Sequence, residues 1–177
     1  MFDPSDRKTS GYHVFLLPQG KLFDDLKHII DTLAEKYDGV RFDPHVTLLA
    51  RIPVEAENEL VAKTKKLAAM MKPFVVEPRM VEAQDEYYRA LYAKAEFSDE
   101  LKTYHEKGLD IFGYRDTNVY FPHLSLYYGD ASRSIKEGMI SSLSLPAQMS
   151  FAVDKIYLYR TPGEPRDWVR IGEYSIG

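Results

Sequence analysis

Two short segments of the sequence repeat each other, and this repeat constrains the fold more than any other feature. The segment PHVTLL begins at Pro44, and the segment PHLSLY begins at Pro122. Each contains a proline, a histidine, an aliphatic residue, a hydroxyl residue and a leucine, and each is apolar enough to form a buried strand. A chain that carries the same strand twice is expected to fold as two similar halves that share one core.

The rest of the sequence supplies both halves with alternating strands and helices. Four helices are predicted from the spacing of apolar residues: from Lys21 to about Asp38, over 55–71, from an N-cap at Ser98 to about Phe112, and near 132–142. Strands are predicted at 12–18, from His45 to Pro53, in PFVVEPRMVEAQ, in YYRALYAKAEF, around His123, in SFAVDKIYLYRTP and in DWVRIGEYSI. Alternation along YYRALYAKAEF predicts that Tyr88, Tyr92 and Lys94 share one face.

The domain organisation follows from what separates these elements. No segment rich in glycine or serine divides the two halves, so a single α+β domain over residues 1–177 is expected, built from two lobes that pack together. The first ten residues are polar, and we expect 1–10 to be a flexible tail.

The repeated strands place polar side chains together. Because side chains alternate across a strand, His45 shares a face with Thr47, and His123 shares a face with Ser125. If the two strands meet, two imidazoles and two hydroxyls surround a small space. Hydroxyls can donate to phosphate oxygens, while one imidazole accepts a proton from a nucleophile and the other protonates a leaving oxygen. The pattern indicates acid–base phosphoryl transfer without a metal.

With these motifs the chain resembles the two-histidine (2H) phosphoesterases. Within that superfamily it is similar to the cyclic nucleotide phosphodiesterases, which open ADP-ribose 1″,2″-cyclic phosphate. The likeness extends over YHVFLLP, VRFDPHVTLL, VYFPHLSLYY and the closing segment from DKIYLYRTP to WVRIGEYSI. The resemblance implies two pseudo-symmetric lobes, each an antiparallel sheet with helices on its outer face, and an active-site cleft between them.

The resemblance also implies roles for individual residues. His123 would activate water as the base, and His45 would protonate the leaving oxygen as the acid, although the symmetry of the motifs leaves the reverse assignment open. Thr47 and Ser125 would bind the phosphate. The residues implied to hold the base and sugar are aromatic: Tyr128, Tyr92 and Phe15.

Ordinary packing is the alternative for these aromatic residues. The chain has 13 tyrosines, so several must be half-buried strand residues, and Phe15 fits core packing well. Tyr128 would face away from Ser125 by alternation unless the strand ends first, and Gly129 is a suitable place for such an end.

The remaining histidines show no repeat. His28 and His105 lie in helical patterns and are predicted at or near the surface, and His13 begins a strand without an assigned role. The sequence contains neither H-x-x-x-H nor H-E-x-x-H, and it has no cysteine, so we expect no metal and no cofactor.

Charge and hydropathy limit the partners. A net charge of -4 gives no general attraction to polyanions, so the expected partner is a small cyclic nucleotide and no stable nucleic acid complex. The apolar runs are far too short to span a bilayer, and the first ten residues do not form a secretory signal. We therefore expect a monomeric cytoplasmic protein that makes no membrane contact.

Three functions remain open on the sequence. The first is a cyclic phosphodiesterase that acts on ADP-ribose 1″,2″-cyclic phosphate or on nucleoside 2′,3′-cyclic phosphates, which by family resemblance would remove the cyclic phosphate left by tRNA splicing. The second is an RNA-end-processing enzyme of the same superfamily that acts on 2′,5′-linkages or 3′ ends. The third is a nucleotide-binding module without turnover.

Overall fold

The computed structural model of the protein describes residues 8–116 and 118–177. The strands within these ranges are β1 (Tyr12–Leu16), β2 (Val46–Ile52), β3 (Phe74–Val76), β4 (Pro78–Glu82), β5 (Leu91–Ala95), β6 (His123–Tyr127), β7 (Phe151–Val153), β8 (Lys155–Arg160) and β9 (Val169–Ser175). The helices are α1 (Gly20–Tyr37), α2 (Glu57–Met70), α3 (Asp99–Phe112) and α4 (Arg133–Ser142). Short 3-10 helices cover Tyr87–Arg89 and Pro165–Asp167.

Seven strands form one antiparallel sheet in the order β4-β5-β6-β2-β1-β8-β9, and β3 pairs with β7 separately. The two motif strands, β2 and β6, are neighbours at its centre and pair through Val46 and Leu124. This narrow joint divides the sheet into one lobe of three strands and one of four. The predicted α+β fold with two lobes is confirmed.

One face of the sheet is aliphatic and lies under the helices. Its fully buried side chains are Val14, Leu16, Val46, Leu48, Leu124, Leu126, Ile156 and Leu158. Side chains from all four helices join them in the same core, among them Leu26, Leu60, Leu101 and Met139. Burying one such side chain contributes about 1.5–3 kcal/mol, so this face stabilises the fold and leaves the opposite face to the motif histidines.

Helix packing ties the two lobes together. Helix α1 packs on β6, and α3 packs on β2, so each motif strand is supported by a helix that is distant in the sequence. The predicted N-cap of α3 is confirmed, because the Ser98 hydroxyl accepts a hydrogen bond from the Leu101 amide. Helix α3 ends at Phe112, as predicted, and Gly113 follows in the left-handed conformation.

Two predicted strand segments are each two strands. The segment PFVVEPRMVEAQ divides into β3 and β4, and SFAVDKIYLYRTP divides into β7 and β8. In both cases the first part leaves the large sheet to form the small one. The expectation that Tyr88 shares a strand face with Tyr92 is wrong, because Tyr87–Arg89 is a 3-10 helix and strand alternation does not apply there.

Of the predicted tail at 1–10, residues 1–7 lie outside the described residues. Within the described part, Thr9 pairs with Gly163 through two backbone hydrogen bonds of 2.7 and 3.0 Å. This pairing lays Lys8, Thr9 and Ser10 along the wall of the large cavity described below. None of the helices in the described ranges is both long and apolar enough to cross a membrane.

Candidate active site

The two motif histidines are mounted in the same way. Nδ1 of His45 lies 2.7 Å from the carbonyl oxygen of Asp43, and Nδ1 of His123 lies 2.8 Å from the carbonyl oxygen of Phe121. A carbonyl oxygen can only accept, so Nδ1 carries the proton and donates it in both rings. Nε2 of each ring is then the nitrogen that can exchange a proton with a ligand.

Both histidines line one cavity of about 530 Å³, which we call the cleft. Thr47 lines it as well. The antiparallel pair of Val46 with Leu124, continued by one residue in each direction, sets His45 across from Ser125 and Thr47 across from His123. The structure therefore brings the four motif residues to the centre of one sheet face.

The two hydroxyls of the motifs differ in their surroundings. Thr47 is half-buried on the cleft wall, whereas Ser125 is 2% exposed and its hydroxyl donates to the carbonyl of Tyr88 at 3.2 Å. Thr47 carries the more accessible hydroxyl of the pair. Ser125 must exchange its bond to Tyr88 before its proton can reach a ligand.

Burial controls the protonation of the pair. Desolvation, together with the nearby His123, lowers the pKa of His45 from 6.5 to about 4, and the hydrogen bond to the Asp43 carbonyl opposes this shift. Desolvation also lowers the pKa of His123, and Arg89 adds to this effect. Both imidazoles are therefore mostly neutral near pH 7 in the free protein. A phosphate anion between them would raise both pKa values.

An aromatic ring packs against each histidine. The ring of Phe15 stacks on His45 with centroids 3.9 Å apart, and the ring of Tyr92 meets His123 nearly edge-on at 5.4 Å. Tyr92 is fully buried and donates its hydroxyl to Glu82 at 2.9 Å. These contacts give both residues a role in fixing the imidazoles. Direct contact of Phe15 and Tyr92 with a substrate stays a prediction.

Tyr128 reaches the cleft because its strand ends early. Strand β6 stops at Tyr127, so alternation no longer directs the next side chain, and Tyr128 lines the cleft. One face of its ring stacks on Phe42 with centroids 3.8 Å apart and an interplanar angle of 18°. Its binding of a substrate also stays a prediction.

His13 is a cleft residue to which the sequence analysis gave no role. It is 8% exposed, and its Nε2 accepts from the Arg51 backbone amide at 3.3 Å while Nδ1 lies 2.8 Å from the Thr161 hydroxyl. Desolvation, with smaller effects of His45 and Arg51, lowers the pKa of His13 from 6.5 to about 3. A neutral third imidazole therefore adjoins the pair. Nothing in the sequence repeats around His13, so the sequence carries no signal for it.

The surface position predicted for His28 is confirmed, and the one predicted for His105 is wrong. His28 is exposed on α1. His105 is 8% exposed, bonds through Nδ1 to the carbonyl of Leu48 at 2.8 Å and stacks on Tyr120 at 3.8 Å. It belongs to the face of α3 that packs on β2. Its spacing of four residues from Leu101 is the signal that could have indicated this burial.

Trp168 is a second cleft residue to which the sequence analysis gave no role. It is the only tryptophan of the chain and lies half-buried between the 3-10 helix Pro165–Asp167 and β9. Its Nε1 donates to the Thr9 hydroxyl at 2.9 Å, and its ring approaches His45 nearly edge-on at 6.0 Å. Its rarity was the only signal in the sequence.

Side chains that commonly bind metals do not cluster in the described part of the chain. Over residues 8–116 and 118–177, no group of three or more histidine, aspartate or glutamate side chains is placed to hold a metal ion.

Known proteins resemble this chain over nearly its whole length. The family described as "Cyclic phosphodiesterase-like protein" matches residues 11–173. A cyclic phosphodiesterase of Arabidopsis thaliana is 23% identical over 166 residues, which is 90% of each chain. TT0787 of Thermus thermophilus superimposes with a TM-score of 0.65 at 16% identity, covering 93% of this chain and 97% of its own. E. coli LigT complexed with 3′-AMP gives a TM-score of 0.63 at 16% identity, covering 96% and 98%.

Proposed function

Because the chain belongs to the cyclic phosphodiesterase-like protein family, we propose that it hydrolyses a nucleotide-derived cyclic phosphate to a phosphomonoester, without a metal, through His45 and His123. The candidate substrates are ADP-ribose 1″,2″-cyclic phosphate and nucleoside 2′,3′-cyclic phosphates. The two motif histidines thereby take the roles that the resemblance to the 2H phosphoesterases implies.

The matched mounting of the two rings carries the proposal. Each Nδ1 donates to a backbone carbonyl two residues earlier, so each Nε2 is free to serve as acid or base. The same local arrangement, with the carbonyl two residues earlier, occurs in both motifs around one cleft, whereas the buried ring of His105 bonds to the carbonyl of Leu48 on another element. His45 is buried and His123 is half-buried on the cleft wall, which limits the access of solvent to both rings.

The reaction follows from one protonated and one neutral ring. Neutral His123 accepts a proton from water at Nε2, and the oxygen of that water forms a bond to phosphorus. The bond between phosphorus and the sugar oxygen on the opposite side breaks, and His45 gives its Nε2 proton to that oxygen. The product is a phosphomonoester, and the two rings return to their starting states by proton exchange with solvent.

The electrostatics couples substrate binding to protonation of the acid. The pKa of His45 is about 4 in the free protein, so its protonated form is scarce at pH 7 until an anionic substrate arrives. The phosphate charge stabilises the imidazolium, so binding and activation of the acid are coupled. The Thr47 hydroxyl donates to a non-bridging oxygen and stabilises the charge that develops on it.

The test is turnover in the presence of a chelator. The protein is incubated with ADP-ribose 1″,2″-cyclic phosphate, with nucleoside 2′,3′-cyclic phosphates and with a 2′,5′-linked dinucleotide. Hydrolysis of a cyclic phosphate supports the proposal, and cleavage of the dinucleotide alone would replace it with RNA-end processing. Binding of the cyclic nucleotides without any turnover would indicate that the protein is a nucleotide-binding module.

A further inference from the structure

A second cavity of about 150 Å³ adjoins the cleft at His45. We call it the side pocket. Its walls include Leu17, Phe42, Tyr159 and Pro165, together with three residues that it shares with the cleft, which are Phe15, His45 and Trp168. A group bonded to a phosphate that sits on His45 therefore meets the side pocket directly.

The side pocket suits a flat, uncharged group. Phe15, Phe42, Tyr159 and Trp168 give it aromatic walls, and its volume admits one ring system and no complete nucleotide. The cleft is different, because its walls include more charged and polar side chains: Lys8, Arg51, Glu86, Arg89, Asp116 and Asn118.

The cations at the side pocket are already neutralised. Lys27 pairs with Asp31, and Arg41 pairs with Glu35 at 3.3 Å. Asp43 adds a carboxylate to the wall. The pocket therefore has no surplus positive charge with which to attract a phosphate or pyrophosphate.

Trp168 is held in a fixed orientation at the junction of the two cavities. Its Nε1 donates to the Thr9 hydroxyl, and Thr9 is anchored in turn to Gly163 by two backbone hydrogen bonds. The indole lies 5.8 Å from the ring of Phe15 and 6.4 Å from the ring of Tyr88, between centroids. An aromatic wall that is positioned before binding can stack on a base with little loss of entropy.

We propose that the side pocket is the nucleobase subsite and that Trp168 is the wall on which the base stacks. The inference rests on the proposed function, since it needs the reacting phosphate at His45. In a nucleoside 2′,3′-cyclic phosphate the base is attached to the same ribose as the reacting phosphate, so it reaches an adjoining pocket. In ADP-ribose 1″,2″-cyclic phosphate, the ribose that carries the cyclic phosphate has no base and is joined to a pyrophosphate. The subsite therefore selects nucleoside 2′,3′-cyclic phosphates.

Binding can be measured without turnover, because all tryptophan fluorescence comes from Trp168. Cytidine 3′-monophosphate, one of the two monoesters that opening of the cyclic phosphate can give, is compared in a titration with inorganic phosphate. The nucleotide is expected to quench the emission by stacking, and phosphate, which carries no base, is expected to change it less. Equal responses to both, or no response to the nucleotide, would overturn the subsite whether or not the protein is an enzyme.

Kinetics then locates the base. The substrates are cytidine 2′,3′-cyclic phosphate and the base-free 1-O-methylribose 2,3-cyclic phosphate. Trp168→Ala removes a wall of the side pocket, and Leu17→Phe fills the pocket. Each is expected to reduce the ratio of kcat/KM for the cytidine substrate to that for the base-free substrate by roughly ten- to hundredfold, through KM. Trp168→Phe should restore much of it.

Val54→Phe is the matched control for Leu17→Phe, because Val54 is 75% exposed and the substitution adds the same ring on the surface. It is expected to keep the preference of the unmodified protein. If Trp168→Ala, Trp168→Phe and Leu17→Phe reduce turnover of both substrates by the same factor, the residues are structural and the subsite is wrong. If neither substrate is turned over at all, the proposed function fails, and the fluorescence titration alone decides the subsite.

Discussion

The ring of Phe15 lies against the ring of His45, with centroids 3.9 Å apart and an interplanar angle of 29°. This stacking covers one face of the imidazole, while the Asp43 carbonyl fixes its Nδ1. Phe15 itself is 2% exposed, so it also excludes water from His45. The low pKa of His45 therefore depends partly on its aromatic neighbour.

Replacing Phe15 should release that constraint. In Phe15→Leu, water gains access to His45, so we expect the pKa of His45 to rise from about 4 towards 6.5, and kcat to fall because the ring is less well positioned. An NMR titration of the histidine ring protons measures the pKa. An unchanged pKa together with an unchanged kcat would show that Phe15 is only core packing.

The maximum of the pH profile of kcat/KM should lie below pH 7. The proposed mechanism needs one protonated and one neutral imidazole, and the pKa values of both motif histidines are lowered below 6.5 in the free protein. The alkaline limb of the bell should therefore have a midpoint below pH 6.5, above which kcat/KM falls about tenfold per pH unit. A midpoint above pH 7, or a flat profile from pH 5 to 9, contradicts this.

Acid should destabilise the protein through its buried histidines. His13 and His45 have folded-state pKa values of about 3 and 4, so the unfolded chain binds more protons below pH 6.5. Their contribution to the free energy of unfolding is complete above pH 6.5 and is lost as pH falls through the folded-state pKa values. Each histidine adds a slope of up to about 1.4 kcal/mol per pH unit.

Urea unfolding of the unmodified protein and of His13→Asn, between pH 6.5 and 5, measures this slope. The asparagine amide can replace Nδ1 as a donor to Thr161, and it does not titrate. The variant should lose stability less steeply with acid than the unmodified protein. Parallel slopes would show that His13 is protonated as readily in the folded protein as in the unfolded chain.

The Thr47 hydroxyl should matter more than its size suggests. Thr47→Val removes a donor from the phosphate site, and we expect kcat to fall about a hundredfold, as for other donors to a developing oxyanion. Thr47→Ser retains the hydroxyl and should recover most of the activity. Rates of cyclic phosphate hydrolysis for the two variants check this, and equal losses in both would point to packing of the threonine methyl group instead.

The central strands and their polar faces were predictable, because period-two alternation directly places His45 with Thr47 and His123 with Ser125. Local sequence also indicated the cap at Ser98. It could not indicate the 3-10 helix at Tyr87–Arg89, where tertiary packing overrides the preference of aromatic residues for strands. The role of Trp168 depends on contacts with Thr9 and His45, both more than a hundred residues away in the sequence.

The most direct test of the account is a double-mutant comparison of kcat with a nucleoside 2′,3′-cyclic phosphate in the presence of a chelator. If His45 and His123 act on one phosphorus atom, His45→Ala and His123→Ala should each reduce kcat by roughly a hundredfold to ten-thousandfold, and the double variant should lose little more. His28→Ala, at an exposed position of α1, should retain full activity. Activity within tenfold of the unmodified protein in either single variant would contradict the two-histidine mechanism.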